Sequence, residues 1–443
     1  MNFFSKGKAI SVASVAIVLT LFFIFGPQYY SKVDAVDQAT YRSLKVFNEA
    51  LDMVEKNYVE KVDPKTLIQE AINGMMKSLD PHSSYLSTEM YKELQSDTKG
   101  SFGGIGIEIT MQNEILTVVS PIEDTPAFLA GIQAGDQIVR IDDKSTKGIS
   151  IMEAVKKLRG PENSKVKIGI MRKGLTQPKD YVISRAIINI KSVKYRSYEG
   201  NIGYVRVASF QERTAEDVKK GLAELEKKGP VGGLVIDVRN NPGGLLDQAV
   251  KVSDVFLKSG TIVSIMGRAK NLESKFAARD DGSEPSCPIV ILVNEGSASA
   301  AEILAGALQD NGKAIVLGTQ SFGKGSVQTV IPFEDGSALK LTTARYYTPK
   351  GKSIQAEGIT PDITVEHIRP PEEKESELVI RERDLKGHIK GENEEGVVKD
   401  KDKKETKSRP ISRRDLEDIT KDNQLKSAVD LLKSWEIFSK IQK

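Results

Sequence analysis

The chain has 443 residues, 39% hydrophobic and 28% charged, which is room for two or three ordinary globular domains. Its 64 basic and 61 acidic residues leave a formal net charge of +3, so nothing in the balance points to nucleic acid. Cys287 is the single cysteine, which excludes an internal disulfide and a cysteine-rich metal site; beside an apolar strand it reads as an inert small residue.

Lys6 and Lys8 precede an apolar run from Ala9 to Phe25, interrupted only by Ser11, Ser14 and Thr20. A helix of about seventeen residues reaches roughly 25 Å, enough for a thin bilayer. Tyr29 and Tyr30 follow at interfacial depth, and residues 1–30 read as a signal anchor or signal peptide. No lipobox cysteine or crisp Ala-x-Ala site follows, which favours an uncleaved anchor with the body outside the cytoplasm.

Residues 38–100 are predicted helical. Leu44, Phe47, Leu51, Val54 and Tyr58 repeat at helical spacing, and Asp63 before Pro64 opens a second helix carrying Leu67, Ile68, Ala71, Met75 and Met76. The segment S78-L-D-P-H-S-S-Y-L86 closes that helix as a rigid, hydrogen-bonded turn, with His82 read as part of the turn and not of the chemistry.

Residues 101–175 form a separate small module. F102-G-G-I-G-I-E-I109 is a glycine-rich entry into a strand, Ile151 to Leu158 a short amphipathic helix, and Val166 to Met171 a returning strand. The pattern P-A-x-x-A-G-x-x-x-G-D-x-I-x-x-I, from Pro126 to Ile141, is similar to that of PDZ domains. Such a site works by β-augmentation: an extended peptide pairs with an edge strand and its terminal carboxylate meets backbone N–H groups, here those of Gly104, Ile105, Gly106 and Ile107. The alternative is that glycines 103, 104 and 106 only permit a tight bend. Arg159 ends the helix at the edge of this site, either as a contact across it or only as a solvated helix end.

Residues 176–366 are the main α/β body. Ile202 to Ser209 is strand-like, Thr214 opens a helix running to Glu226, and the buried strand from Gly233 runs into R239-N-N-P-G-G-L-L246. Strands Ile289 to Val293 and Ala314 to Leu317 flank a helix opened by N294-E-G-S-A-S-A-A-E-I303, and Ala338 to Tyr347 offers an edge for substrate. A strand-to-helix turn of small residues exposes a hydroxyl and leaves backbone N–H groups free at the helix start. A serine there needs a base. The three histidines, His82, His367 and His388, lie far away in sequence, whereas Lys324 sits between two glycines in G318-T-Q-S-F-G-K-G-S-V-Q328. Composition alone does not choose between Ser297 and Ser299; Glu302 stands at capping-box spacing from Ser299 and reads as structural.

Beyond His367, residues 367–413 read as a mixed-charge, disordered linker that holds one element-like stretch, Glu377 to His388. Residues 414–443 return to helix, with Leu416, Ile419, Leu425, Ala428, Leu431, Leu432 and Ile437, as a dimer arm or a partner-docking element.

The two stretches 294–303 and 318–328 together resemble the carboxyl-terminal processing proteases, serine peptidases of family S41 with a Ser–Lys dyad and an embedded PDZ domain. The likeness runs over roughly residues 40 to 395 and includes the L-D-P-H-S turn, the R-N-N-x-G-G element, the stretch from Glu377 to His388 and S353-I-Q-A-E-G-I-T-P-D-I363. The resemblance implies Ser299 as nucleophile and Lys324, 25 residues later, as general base, with Gln328 orienting the lysine. It implies an oxyanion hole from Gly243 or Gly244, with a slight preference for Gly243, and from Ala300. It further implies that Arg159 latches the PDZ domain against the body. The expected fold is an α/β protease core of ClpP/crotonase-like type with an inserted PDZ domain and a helical N-terminal arm.

The expected function is endopeptidase cleavage of partly unfolded or tagged proteins near their C-terminus, without cofactor, metal or nucleotide. Expected partners are proteins with free C-terminal tails, an adaptor or activator protein, the bacterial inner membrane through residues 9–25 on its periplasmic side, and further copies of the chain in a homo-oligomer. An exported, soluble periplasmic form is the alternative address. A PDZ scaffold on an inactive protease body and a crotonase-like lyase are the rival classes; neither needs both the Ser–Lys pair and the PDZ module.

Overall fold

A computed structural model of the chain describes residues 38–172, 174–268, 273–368, 380–392 and 421–441. The predicted anchor at 1–30 and most of the predicted linker lie outside the described residues.

The first unit, ending at Gly74, contains the helix Gln38–Asn57 and most of the helix Pro64–Lys77. The Asp63 carboxylate accepts from the Lys65 and Thr66 N–H groups at 3.3 and 3.2 Å, so an acidic side chain satisfies donors that the helix itself leaves orphaned.

In the second unit, the module after residue 100 is an antiparallel sheet. Its strand order is Ile107–Gln112, Ile115–Pro121, Gln137–Ile141, Lys165–Met171 and Lys179–Ser184. Alternation, broken by an irregularity between Ile138 and Arg140, sends Leu116, Val118, Ile138, Ile141, Val166, Ile168 and Ile170 inward, where they meet Ala154 and Leu158 of the helix Ile151–Leu158. The chain enters through Ser101–Gly104 and leaves through Ala186–Asn189, and these two segments pair antiparallel. Arg185, at the exit, donates to the Leu158 and Lys157 carbonyls and to Ser164 Oγ, which ties the helix end to the point of insertion.

The body holds two sheets among the described residues. One has six strands in the order Val193–Tyr198, Ile202–Val207, Gly233–Asp237, Ile289–Val293, Ala314–Gly318 and Ile363–Thr364; the first pair is antiparallel and the others are parallel. Its central strands are apolar at consecutive positions, so both faces need cover. Leu234, Ile236, Ile289, Ile291 and Val293 face one core together with Leu304 and Leu308 of the helix Ala300–Asp310. Val235, Val290 and Leu292 face the other side, against Leu425, Ala428, Val429 and Leu432 of the helix Asn423–Ile441. The C-terminal helix, for which the sequence left the role of dimer arm or docking element open, thus closes the chain's own sheet.

The second sheet is antiparallel and joins Ser84–Leu86, Ala338–Tyr347, Thr261–Gly267 and Ser274–Ala277, with Ser326–Pro332 also paired to Ala338–Tyr347. This arrangement corrects the expected ClpP/crotonase-like core. Strands 261–267, 326–332 and 338–347 do not extend the wound parallel sheet. They leave it, recruit the strand that follows the L-D-P-H-S turn, and form a separate layer that delivers residues 321–325 to the end of the first sheet.

Candidate active site

Ser299 is the residue before the helix Ala300–Asp310, at φ 54° and ψ −113°. Positive φ is uncommon for a residue with a side chain and costs energy that the surroundings must offset. Here the turn is knitted from every side: Asn294 Oδ1 accepts from Asn240 N–H at 2.8 Å, Ala298 N–H donates to the Asn241 carbonyl at 2.9 Å, and Phe322 N–H donates to the Ser297 carbonyl at 3.0 Å. Ser297 is fully buried and committed, donating to the Val238 carbonyl at 2.8 Å and accepting from Asn294 N–H at 3.0 Å. Ser299 retains 9% exposure.

Glu302 joins the serine turn to the lysine turn. Its buried carboxylate accepts from Ser299 N–H at 2.8 Å and Lys324 N–H at 2.9 Å on one oxygen. On the other it accepts from Gly323 N–H at 2.7 Å and Ser321 O–H at 2.6 Å. Burial pushes this carboxyl up to about 7, against the pull of the four donors toward the ionised form. Capping-box spacing pointed to the bond with Ser299; the three bonds to residues 321–324 carry no signal in the sequence.

Lys324 is held below its ordinary value of 10.5, first by burial and then by the Lys340 charge, with Glu382, Glu302 and Asp80 acting in the opposite direction. Gly325 flanks it because a Cβ there would lie 2.3 Å from Gln355 N. The Gln328 side-chain amide donates to Ser326 Oγ at 3.0 Å and Thr342 Oγ1 at 3.3 Å; no bond joins it to Lys324.

The two candidate oxyanion glycines differ. Gly243 N–H donates to Asn241 Oδ1 at 2.8 Å, whereas among the described residues no acceptor meets the amides of Gly244 and Ala300. Gly244 is thus the candidate with an unpaired amide, and Gly243 the one packed against Ser299. Gly243 keeps the site open instead. At φ 101°, a Cβ on it would lie 2.9 Å from Ser299 Cβ and 3.0 Å from Ala300 N, filling the space in front of the hydroxyl.

In the inserted module, a cavity of about 90 Å³ opens between the Gly104–Ile107 segment and the helix 151–158. The carbonyls of Ile105 and Gly106 are taken by Ala127 and Ile122 N–H, while their own amides donate to no acceptor among the described residues. Arg159 lies 4.4 Å over the Phe102 ring, with Nη1 3.5 Å from Glu93 Oε1 on the helix Thr88–Lys99.

A strained serine at a helix start, a half-buried lysine on the turn that shares Glu302 with it, an unpaired amide on the residue after the serine and a peptide groove are the features of a serine-type peptidase. The comparisons agree. The model of peptidase family S41 matches residues 201–365, that of a PDZ domain residues 103–179, and that of the activating protease CtpB N-terminal domain residues 27–90. A carboxy-terminal-processing protease of Bartonella bacilliformis is 50% identical over 361 residues, covering 81% of this chain and 83% of its own. A "probable CtpA-like serine protease" of Staphylococcus aureus is 38% identical over 358 residues, 80% and 71% of the two chains. Among solved structures, a photosystem II D1 C-terminal processing protease aligns at 32% identity and a TM-score of 0.44, over 73% of this chain and 92% of that one.

The chain belongs to the carboxy-terminal-processing proteases of peptidase family S41, and it is a serine endopeptidase with an embedded PDZ domain. This membership, with the two-sheet body, stands in place of the ClpP/crotonase-like assignment. Protein substrates are its partners, and its place of action is extracytoplasmic.

Proposed function

We propose that Ser299 is the nucleophile and Lys324 its general base. The observation that carries this reading is the buried Glu302 carboxylate, which binds the backbone N–H of both residues and so registers one turn against the other. The neutral Lys324 amine takes the Ser299 proton as Oγ attacks the scissile carbonyl carbon. The oxyanion meets the amides of Gly244 and Ala300, and the lysine ammonium returns the proton to the leaving amine. Lys324 then activates the water that hydrolyses the acyl-enzyme. Gln328 orients the lysine from its place on Ser326 and Thr342 once substrate is bound. A fluorophosphonate probe should label the full chain at Ser299, with labelling lost in Ser299→Ala and kept in Ser297→Ala. Labelling that survives Ser299→Ala overturns the assignment.

The PDZ groove holds the free C-terminal carboxylate of an unfolded or tagged protein on the Ile105 and Gly106 amides, with Gly104 and Ile107 as backbone partners, and the dyad cuts upstream in the same tail. Arg159, on Phe102 and Glu93, keeps the groove against the body. A charged hydrogen bond contributes about 1.5–3 kcal/mol and burial of one small apolar side chain about as much, so a reporter whose tail is amidated, or ends in Asp, should be cleaved roughly 10-fold more slowly than one with a free apolar terminus. Equal rates for all three tails would remove the module from substrate choice.

Residues 9–25 anchor the enzyme in the bacterial inner membrane with the body on the periplasmic side. Among the described residues no helix is long and apolar enough to cross a membrane, and residues 9–25 lie outside them. An adaptor or activator and a homo-oligomer belong to the same proposal. The exposed side chains of Tyr41, Leu44 and Phe47 on the first helix favour a protein partner there.

A further inference from the structure

Neither the dyad nor the PDZ groove uses the segment 380–392, yet it lies across the lysine turn. Its short 3-10 helix, Glu382–Asp384, puts Glu382 in a fully buried position. Glu382 N–H donates to the Phe322 carbonyl at 3.1 Å, two residues before the lysine. Glu382 Oε1 accepts from Gln355 Nε2 at 3.0 Å, and Gln355 Oε1 accepts from Gly325 N–H at 3.1 Å, one residue after it. Glu382 thus grips the lysine turn on both sides. Its carboxylate meets one more group, His82 of the L-D-P-H-S turn, whose Nε2 lies 2.8 and 2.7 Å from the two oxygens. The same turn reaches the Gln328 side of the site through Asp80, which accepts from Ser83 and from Thr342 Oγ1, the hydroxyl that meets Gln328. Tyr347 O–H to Glu392 at 2.6 Å and Gln355 Nε2 to the Ile389 carbonyl at 2.8 Å fasten the far end of the segment.

We propose that Glu382, buttressed by His82, is a positioning residue for Lys324, and that the segment 380–392 is a strap that must be seated for the base to stand in place. This rests on the reading of Lys324 as the general base. The geometry requires both a fixed turn and a balanced field. The charged groups facing Lys324 are Glu382, Glu302 and Asp80, which favour its ammonium form, and Lys340, which opposes it. A carboxylate kept only to hold the backbone would act on the turn alone. One whose charge also reaches the amine sets the pH at which that amine becomes free to accept a proton.

The test uses the purified full chain and a cleavable unfolded reporter. Glu382→Ala should lower kcat about 10-fold or more with KM changed by less than about twofold, because the base is displaced and substrate binding is not. Glu382→Gln, which keeps the carbonyl acceptor and loses the charge, should recover most of kcat. It should also move the acid limb of the pH–rate profile to lower pH, since a carboxylate that held the ammonium is gone. If Glu382→Ala does not fold, the position of the Glu382→Gln limb decides alone. A limb that stays at the wild-type position, or a folded Glu382→Ala with wild-type kcat, overturns the proposal. Lys324→Met separates the two readings: an active Lys324→Met removes the dyad itself, whereas an inactive one beside an unmoved Glu382→Gln limb removes only the strap.

Discussion

Replacing Lys324 with arginine is expected to lower kcat/KM by about 10⁴-fold or more, close to the loss in Ser299→Ala, because members of one catalytic unit fail together. The guanidinium keeps a positive charge but stays protonated at any working pH, so it has no lone pair for the serine proton. Lys324→Met should be equally inactive for the same reason, and its stability should move the other way. The folded-state pKa of Lys324 lies below 10.5 because burial disfavours the ammonium. A group depressed in this way contributes stability only above its unfolded value, and that contribution falls away as pH drops toward and through the folded value. Near neutral pH the lysine is therefore a burden on the fold, and Lys324→Met should melt at or above the wild-type temperature. In the active enzyme the rate should rise with pH along an acid limb centred below 10.5. Thermal melts and pH–rate profiles of the three proteins check this. A Lys324→Arg enzyme within tenfold of wild type would mean that another group takes the proton.

The second large effect lies on the other side of the oxyanion turn. Arg239, the residue that opens R239-N-N-P-G-G, is completely buried and bonded to two carboxylates. Its guanidinium donates to Asp237 at 3.0 and 2.6 Å and to Asp422 at 2.9 and 2.6 Å, with Gln424 Oε1 at 3.0 Å. Asp237 also receives Tyr204 O–H at 2.8 Å and Arg206 at 3.2 Å, so two arginines balance two aspartates with little water near. Removing one partner of such a group leaves a buried charge without compensation, which typically costs about 3–5 kcal/mol. Asp422→Ala is therefore expected to lower stability by about that amount, to release the helix 423–441 from its sheet, and to slow catalysis by loosening the turn that carries Gly244. Asp422→Asn, which keeps the hydrogen-bond geometry on one oxygen, should lose less.

Acid should act on the same cluster. Burial raises the Asp237 carboxyl, but Arg239 and then Arg206 bring it below 3.8 overall. A depressed carboxylate contributes stability above its unfolded value and loses it as pH falls through the folded one, so this contribution starts to fall away near about pH 4 and is lost progressively below it. Denaturant melts of Asp422→Ala and Asp422→Asn read the effect. An Asp422→Ala protein as stable as wild type would show that the helix holds by its apolar face alone.

Much of this enzyme was legible in the chain by itself, and the reason is that the legible parts are local. The apolar runs at 233–238 and 289–293 read as strands because a strand covered on both faces is apolar at consecutive positions. Asp63 before Pro64 is a helix start because the orphaned N–H groups lie within three residues of the cap. The glycines around Lys324 and in R239-N-N-P-G-G announce turns because backbone approaches that close admit no Cβ, as the contact of Gly325 with Gln355 N bears out. The N-E-G-S-A-S-A stretch, with a glycine-flanked lysine and no histidine nearby, pointed to the serine peptidase family that the comparisons support.

Tertiary structure decided what depends on contacts between distant segments, because pattern and spacing record only what a residue does to its neighbours. The departure of strands 261–267 and 338–347 into a second sheet depends on partners outside their own stretch, and it replaced the ClpP/crotonase-like expectation. Asn241 folds back onto the Gly243 amide and not onto that of Gly244, a difference that no local pattern records. Glu302 became the joint between the two turns only when Gly323 and Lys324 arrived at its carboxylate. His82 and Glu382, 300 positions apart, met because a buried carboxylate needs donors and the fold leaves it those of His82 and Gln355.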